Sequence, residues 1–177
     1  MSGPGAGHEI LLDEAEVAAR VADLARRLAP RLNDDAVAVC LLIGGLWFAA
    51  DLTRALARLG RHLAFDALWL ASYGDEKQSR GRCQVRADLQ RPIAGRQALV
   101  IDDVVDSGLS LSEAARLVQG AGATEVITCV FARKPWPAPR IHEPEFVAWE
   151  APPRFLVGYG MDNAGRLREL PHIGAVD

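Results

Sequence analysis

The sequence predicts an α/β protein, a parallel sheet flanked by helices. Continuously apolar, β-rich runs at 36–43 and 98–101 read as strands buried on both faces. Between such runs lie segments whose apolar residues follow helical spacing. Glycine turns, such as Gly44-Gly45, punctuate the two. Strands alternating with helices are the pattern of a parallel sheet covered on its faces.

Each element has its own signal. Val17, Val21, Leu24 and Leu28 are spaced by four, three and four, which predicts an amphipathic helix with Asp13 as N-cap and Pro30 near its end. The run 36–43 predicts a central strand, and Gly44-Gly45 turns it into a second helix bearing Phe48, Leu52, Ala55 and Leu59 on one face. Residues 64–71 read as another strand. Residues 72–96 are polar and rich in Gly, Arg and Gln, so they are expected to be a mobile loop in which 84–89 pairs as a hairpin. After the strand at 98–101, Leu111, Ala114, Ala115 and Val118 predict a third helix ended by Gly120 and Gly122. Residues 126–131 predict the next strand. Pro135, Pro137, Pro139 and Pro144 make 135–144 a loop, and short strands are expected at 146–149 and 155–157.

Composition bounds the class. A chain of 177 residues, half of them hydrophobic, is expected to form a single domain over 1–177, with 1–8 as a flexible tail. A net charge of −3 and a pI near 5.8 offer no electrostatic case for nucleic acid. The longest apolar stretch, 36–50, is too short to span a bilayer and is broken by Gly44-Gly45, so no membrane partner is expected. The first residues lack the basic and apolar regions of a signal peptide. Cys40, Cys83 and Cys129 form no disulfide framework, which fits a reducing cytoplasm, and the four histidines lack metal-ligand spacing.

The most informative stretch is 98–110. An apolar strand ends in Asp102 and Asp103; Asp106 follows, then Ser107, Gly108, Leu109 and Ser110, and then a helix. A strand, a small-residue loop and a helix N-terminus together cradle a phosphate through backbone N–H groups. Acids beside that cradle suit a ligand that also carries hydroxyls or Mg²⁺. Gly44-Gly45, the acids at 102–106 and Lys134 all follow strands, so they are expected at one edge of the sheet, where such folds bind ligands. No Gly-x-Gly-x-x-Gly and no Gly-x-x-x-x-Gly-Lys-Ser/Thr occurs, which argues against a plain dinucleotide or P-loop module.

That order of residues resembles the phosphoribosyl pyrophosphate (PRPP) signature of type I phosphoribosyltransferases. With Ile43-Gly44-Gly45, Ser72-Tyr73-Gly74, Lys134-Pro135, the stretch Val157 to Asp162 and Arg166 to Pro171, it resembles the hypoxanthine-guanine phosphoribosyltransferases over nearly the whole chain. The resemblance implies a type I phosphoribosyltransferase fold with a small hood built from the termini. It implies transfer of the phosphoribosyl group from PRPP to N9 of hypoxanthine or guanine, giving IMP or GMP and pyrophosphate, with Mg²⁺. It also implies a cytoplasmic homodimer or homotetramer. Xanthine as the preferred base stays open, as does a regulator that binds PRPP or nucleotide without turnover, although such a regulator would be expected to lose its base-side residues.

The same resemblance assigns roles. Asp106 would take the purine N7 proton. Asp102 and Asp103 would hold the ribose hydroxyls, directly or through water on Mg²⁺, and Ser107, Gly108, Leu109 and Ser110 the 5′-phosphate. Ile43, Gly44, Gly45 and Arg168 would bind pyrophosphate, at a turn whose peptide is often cis in that family. Lys134 would donate to the purine O6, Phe155 would stack on the base, and Leu156 would bond its edge through the backbone. Asp162 would hold a second Mg²⁺. Ser72 and Tyr73 would begin a lid. Taken singly, Phe155 reads as a core residue, Lys134 as a solvated charge and Arg168 as a partner of Glu169 or of a neighbouring subunit. The chain departs from many relatives at Ile43, where Lys or Arg is common, at Asp102, where Glu is common, and at Leu109, which leaves only a backbone for phosphate.

Overall fold

The computed structural model describes residues 7–72 and 83–176. In chain order the elements are β1 (Glu9–Leu12), α1 (Glu14–Leu28), β2 (Val37–Leu42), α2 (Leu46–Arg58), β3 (Ala64–Ser72), β4 (Cys83–Ala87), β5 (Gln97–Val105), α3 (Leu109–Gly120), β6 (Glu125–Arg133), β7 (Phe146–Glu150), β8 (Phe155–Val157) and β9 (Ile173–Val176).

Six strands form the central sheet in the order β4-β3-β2-β5-β6-β7. All its pairings are parallel except that of β4, which runs antiparallel along β3 at the edge. The strand alternation sorts side chains into two cores. Ala38 and Cys40 of β2, Leu99 and Ile101 of β5, and Phe131 of β6 face the layer that holds α1 and α2. Val37, Val39, Ala98, Val100 and Val130 face α3 on the other side. Because both faces are covered, these strands tolerate no polar face, which is why they read as unbroken apolar runs.

The first helix begins as the sequence predicts. Asp13 accepts a hydrogen bond from the Glu16 backbone N–H at 2.8 Å, and Glu16 accepts one from the Asp13 backbone N–H at 2.9 Å. This reciprocal cap satisfies two otherwise orphaned donors. The second helix is shorter than its apolar pattern suggests. It ends at Arg58, so Leu59 sits at the C-cap and is exposed rather than on the buried face.

Residues 73–82 of the expected mobile loop lie outside the described residues. β4 pairs with β3, as the hairpin reading expected, and Ile93 is buried. Buried Asp66 accepts from the backbone N–H groups of Gln90 and Arg91 at 2.9 and 2.8 Å, pinning the return toward β5.

A second, three-stranded antiparallel sheet, β1-β9-β8, stands apart as the hood. Its β1 and β9 are short and had no separate sequence signal. His8, placed in the expected tail, stacks on His172 with ring centroids 5.0 Å apart. Phe131 sits between Phe48 of α2 and Tyr159 beyond β8, with edge-on contacts at 5.5 and 5.1 Å. It therefore ties the main core to the segment that follows the hood strand. Phe131→Ala should cost about 3–5 kcal/mol of stability, read as a lowered urea midpoint.

Candidate active site

Strand order reverses between β2 and β5. The chain leaves β2 through α2 toward β3 on one side, and leaves β5 through α3 toward β6 on the other. A crevice therefore opens at the carboxyl ends of these two strands. The turn 43–45 lies at one wall and the acids after Ile101 at the other.

The two walls approach closely enough to demand glycine. A Cβ on Gly44 would stand 2.5 Å from Asp103 Cγ and closer still to its carboxylate. One on Gly45 would stand 2.8 Å from Leu41 O and 3.0 Å from Ile101 O. From the hood side, a Cβ on Gly160 would collide with the Gly44 carbonyl. Gly160 also has φ +103, a conformation that L side chains rarely adopt. A cis peptide joins Leu42 to Ile43, just ahead of this turn. The Ile43 side chain is exposed.

The strand end, the small-residue loop and the helix start fall where the sequence places them. Gly108 has φ +82 and stands at the N-cap of α3, where it brings no side chain of its own to the first N–H groups. A Cβ on Gly108 would stand 2.8 Å from the His142 nitrogen, so the loop 135–144 backs the cradle. Ser107 Oγ accepts from the Leu109 backbone N–H at 3.4 Å. A cavity of about 240 Å³ opens here between Asp106 and Ser110. A neighbouring cavity of about 200 Å³ is lined by Gly44, Asp103, Ser110 and Arg168. The second cavity brings the turn after β2, the acids of β5 and the hood residue Arg168 together.

Asp102 accepts from the Asp103 backbone N–H at 3.0 Å, and Asp103 from that of Val104 at 2.7 Å. Burial pushes both carboxyls above the usual carboxylate range, Asp102 the more strongly because Asp103 adds like charge. The Arg168 guanidinium partly opposes this at Asp103. Cys40, behind them, is pushed by burial up to about 12, so its thiol stays protonated and is no nucleophile.

Lys134 follows β6, and its Nζ lies 3.4 Å from Asp106 Oδ1. The Asp106 side chain is half exposed, whereas that of Lys134 is mostly covered. Phe155 is 53% exposed at the start of β8, a wasteful place for a packing residue and an open one for a platform; Leu156 beside it is buried. Arg168 donates to Asp162 and to the Gly160 carbonyl, each at 2.5 Å, rather than pairing with Glu169. The Ser72 backbone ends β3, paired with Cys83; Tyr73 lies outside the described residues.

Two residues near the site were assigned no role by the sequence, although Tyr159 falls within the stretch Val157 to Asp162. Tyr159 is buried with φ 49, and its hydroxyl donates to Asp51 of α2 at 3.0 Å. Arg140, in the proline-rich loop, donates to the backbone carbonyls of Asp106 and Lys134. Spacing offers no signal for either, because both act on backbone or on a distant helix.

The crowded acids carry a stability cost. Their folded-state proton affinity is raised, so the folded chain binds more protons than the unfolded chain above the ordinary carboxylate range, and stability falls as pH rises through it. Asp102→Asn removes one charge. It should raise Tm by about 2–4 °C at neutral pH, with the gain vanishing near pH ~3. Thermal melts of both proteins across pH check this.

The phosphoribosyl transferase domain family matches residues 9–164. The hypoxanthine-guanine phosphoribosyltransferase of Mycobacterium tuberculosis is 33% identical over 98% of this chain and 88% of its own length. The hypoxanthine phosphoribosyltransferase of Escherichia coli is 34% identical over 95% of this chain and 94% of its own. Among solved structures, the hypoxanthine phosphoribosyl transferase of Trypanosoma cruzi superposes with a TM-score of 0.89 at 26% identity, covering 100% of this chain and 95% of that one. By fold, sequence and length alike, the chain belongs to the phosphoribosyl transferase family, among the hypoxanthine-guanine phosphoribosyltransferases of purine salvage.

Proposed function

We propose that the chain transfers the 5-phosphoribosyl group of PRPP to N9 of hypoxanthine or guanine, releasing pyrophosphate. What supports this above all is the Asp106–Lys134 pair, with carboxylate and ammonium 3.4 Å apart. In a 6-oxopurine, the N7 proton and O6 lie on one edge. A carboxylate accepting from N7 beside an ammonium donating to O6 complements that edge. A 6-amino group would set donor against donor, and an unpaired buried donor discriminates strongly.

Asp106 takes the N7 proton as N9 attacks C1′, which keeps positive charge from accumulating on the base. Lys134, by donating to O6, makes the N7 proton more acidic and so easier for Asp106 to remove. Phe155 stacks on the base, and the Leu156 backbone bonds its edge. Ser107, Gly108, Leu109 and Ser110 bind the 5′-phosphate at the helix N-terminus. Asp102 and Asp103 accept from the ribose hydroxyls, fixing the sugar while the C1′–oxygen bond breaks. The backbone of Ile43, Gly44 and Gly45 and the side chain of Arg168 bind the departing pyrophosphate. Ser72 and Tyr73 begin the lid that excludes water.

The acids suit Mg²⁺ in the way that ion is commonly held. Among the described residues, no group of three or more His, Cys, Asp or Glu forms a cage. Mg²⁺ usually takes one or two carboxylates, waters and substrate phosphates. Asp102 and Asp103 on the ribose side and Asp162 on the pyrophosphate side are such carboxylates. When bound, the ion neutralises charge on the leaving pyrophosphate.

We also read the protein as a cytoplasmic homodimer or homotetramer. Exposed Ile43 and Leu46 at the start of α2 support self-association, and among the described residues no helix is long and apolar enough to cross a membrane.

Nucleotide formation from PRPP with Mg²⁺ tests the reading, with hypoxanthine, guanine, xanthine and adenine offered separately. Turnover of oxopurines and not of adenine is expected; turnover of none overturns it. Asp106→Asn should lower kcat by about 10²–10⁴ with the fold intact. Unchanged kcat would remove its role. Lys134→Ala should impair purine use more than PRPP binding, and equal impairment of both would count against the O6 contact.

A further inference from the structure

Asp106 and Lys134 come from different strands, 28 positions apart in sequence, so something must fix the spacing between them. β5 and β6 pair as far as Val105 opposite Arg133, and the Lys134 backbone N–H still reaches Val105 O at 3.2 Å. Beyond that point the ladder stops, and Asp106 and Lys134 leave the sheet. Their backbones are then joined through one side chain. Arg140 Nε donates to Asp106 O at 2.8 Å, and its Nη2 donates to Lys134 O. Its third arm, Nη1, donates to Glu143 Oε1 at 3.0 Å. The Arg140 side chain is 10% exposed.

The guanidinium is itself held. Glu143 also meets Arg133 Nη1 at 3.4 Å, and Arg133 grips Glu150 with hydrogen bonds of 3.0 and 2.6 Å. Around it, the Ile141 backbone N–H donates to Ser107 O at 2.9 Å, and His142 packs on Gly108. The loop 135–144 thus closes over the back of the cradle. A planar fork with fixed donor directions can set two carbonyls at a defined separation; an ammonium on a flexible stem cannot.

We propose that Arg140 is a positioning residue that sets the separation and aim of Asp106 and Lys134, and so the match to the purine N7–O6 edge. The proposal rests on the roles given above to those two residues. Arg140 touches neither base nor phosphate in this scheme and acts only through the two backbones it bridges. The cradle draws its donors from residues 107–110, so binding of a bare sugar phosphate needs Arg140 far less than binding of a purine nucleotide.

The decisive variant is Arg140→Lys, which keeps the charge and removes the fork. IMP and ribose 5-phosphate binding to wild type and variant are measured by calorimetry, alongside Tm and steady-state kinetics with hypoxanthine. IMP affinity should fall about tenfold and ribose 5-phosphate affinity by less than about twofold, with Tm within about 4 °C. Hypoxanthine turnover should lose about tenfold in kcat, with KM for PRPP little changed. Parallel loss of both ligands, or loss of neither, overturns the proposal. Should Arg140→Lys fail to fold, Glu143→Gln releases only the outer arm and should show the same ligand pattern at about threefold. Absence of turnover by the wild-type enzyme would overturn the assigned reaction, whereas the two binding ratios judge Arg140 independently.

Discussion

Between Gly44 and Asp103 there is no room for a single carbon atom. That closeness organises the site. It lets the turn after β2 and the acids after β5 share one crevice, and it lets Gly160 bring the hood onto the same turn. Three segments distant in sequence thus meet at one turn, Asp103 through its carboxylate against Gly44 and Gly160 against the Gly44 carbonyl. Backbone approach of this kind presents N–H groups at close range and leaves little freedom for the walls to relax.

Electrostatic crowding follows from the same closeness. Asp102 and Asp103 are neighbours on a strand that is buried up to Ile101, and burial with the like charge of Asp103 raises Asp102 well above the usual carboxylate range. Arg168 reaches across from the hood, yet it divides its donors between Asp162 and the Gly160 carbonyl. The folded chain therefore carries charge it would shed if stability alone were at stake. Perturbed acids in a crevice, beside a cationic partner, are a common mark of a functional site. Here they coincide with the strand-order reversal, a feature of topology and not of charge.

Local chemistry explains what could be read in advance. The stretch 98–110 holds strand, acids, cradle and helix start in one continuous segment, so pattern and spacing suffice. The Asp13–Glu16 cap is equally local. The hood strands β1 and β9 were silent because each is four residues long and its partner is at the other end of the chain: Glu9 pairs with Ala175. Leu59 misled because periodicity does not say where a helix stops. Buried Gln97 was also invisible; it accepts from the Asn33 backbone and donates to Arg31 O, work that any polar residue could signal only in three dimensions. Arg140 lay in a loop defined by its prolines, and its partners are carbonyls, which every residue has.

The pairing of β1 with β9 also has a meaning in time. A chain emerging from the ribosome can pair β2 with β3 and then with β5 as each of those strands appears, since both follow within the first 105 residues. The hood cannot follow that schedule. β1 and β8 each lean on β9, and Ile173 to Val176 come almost last. Until they emerge, Phe155 at the start of β8 has no sheet to stand in. A nascent or arrested chain would thus hold the loop 106–110 and the start of α3 without the hood, and the assembled crevice would appear in one late, long-range step.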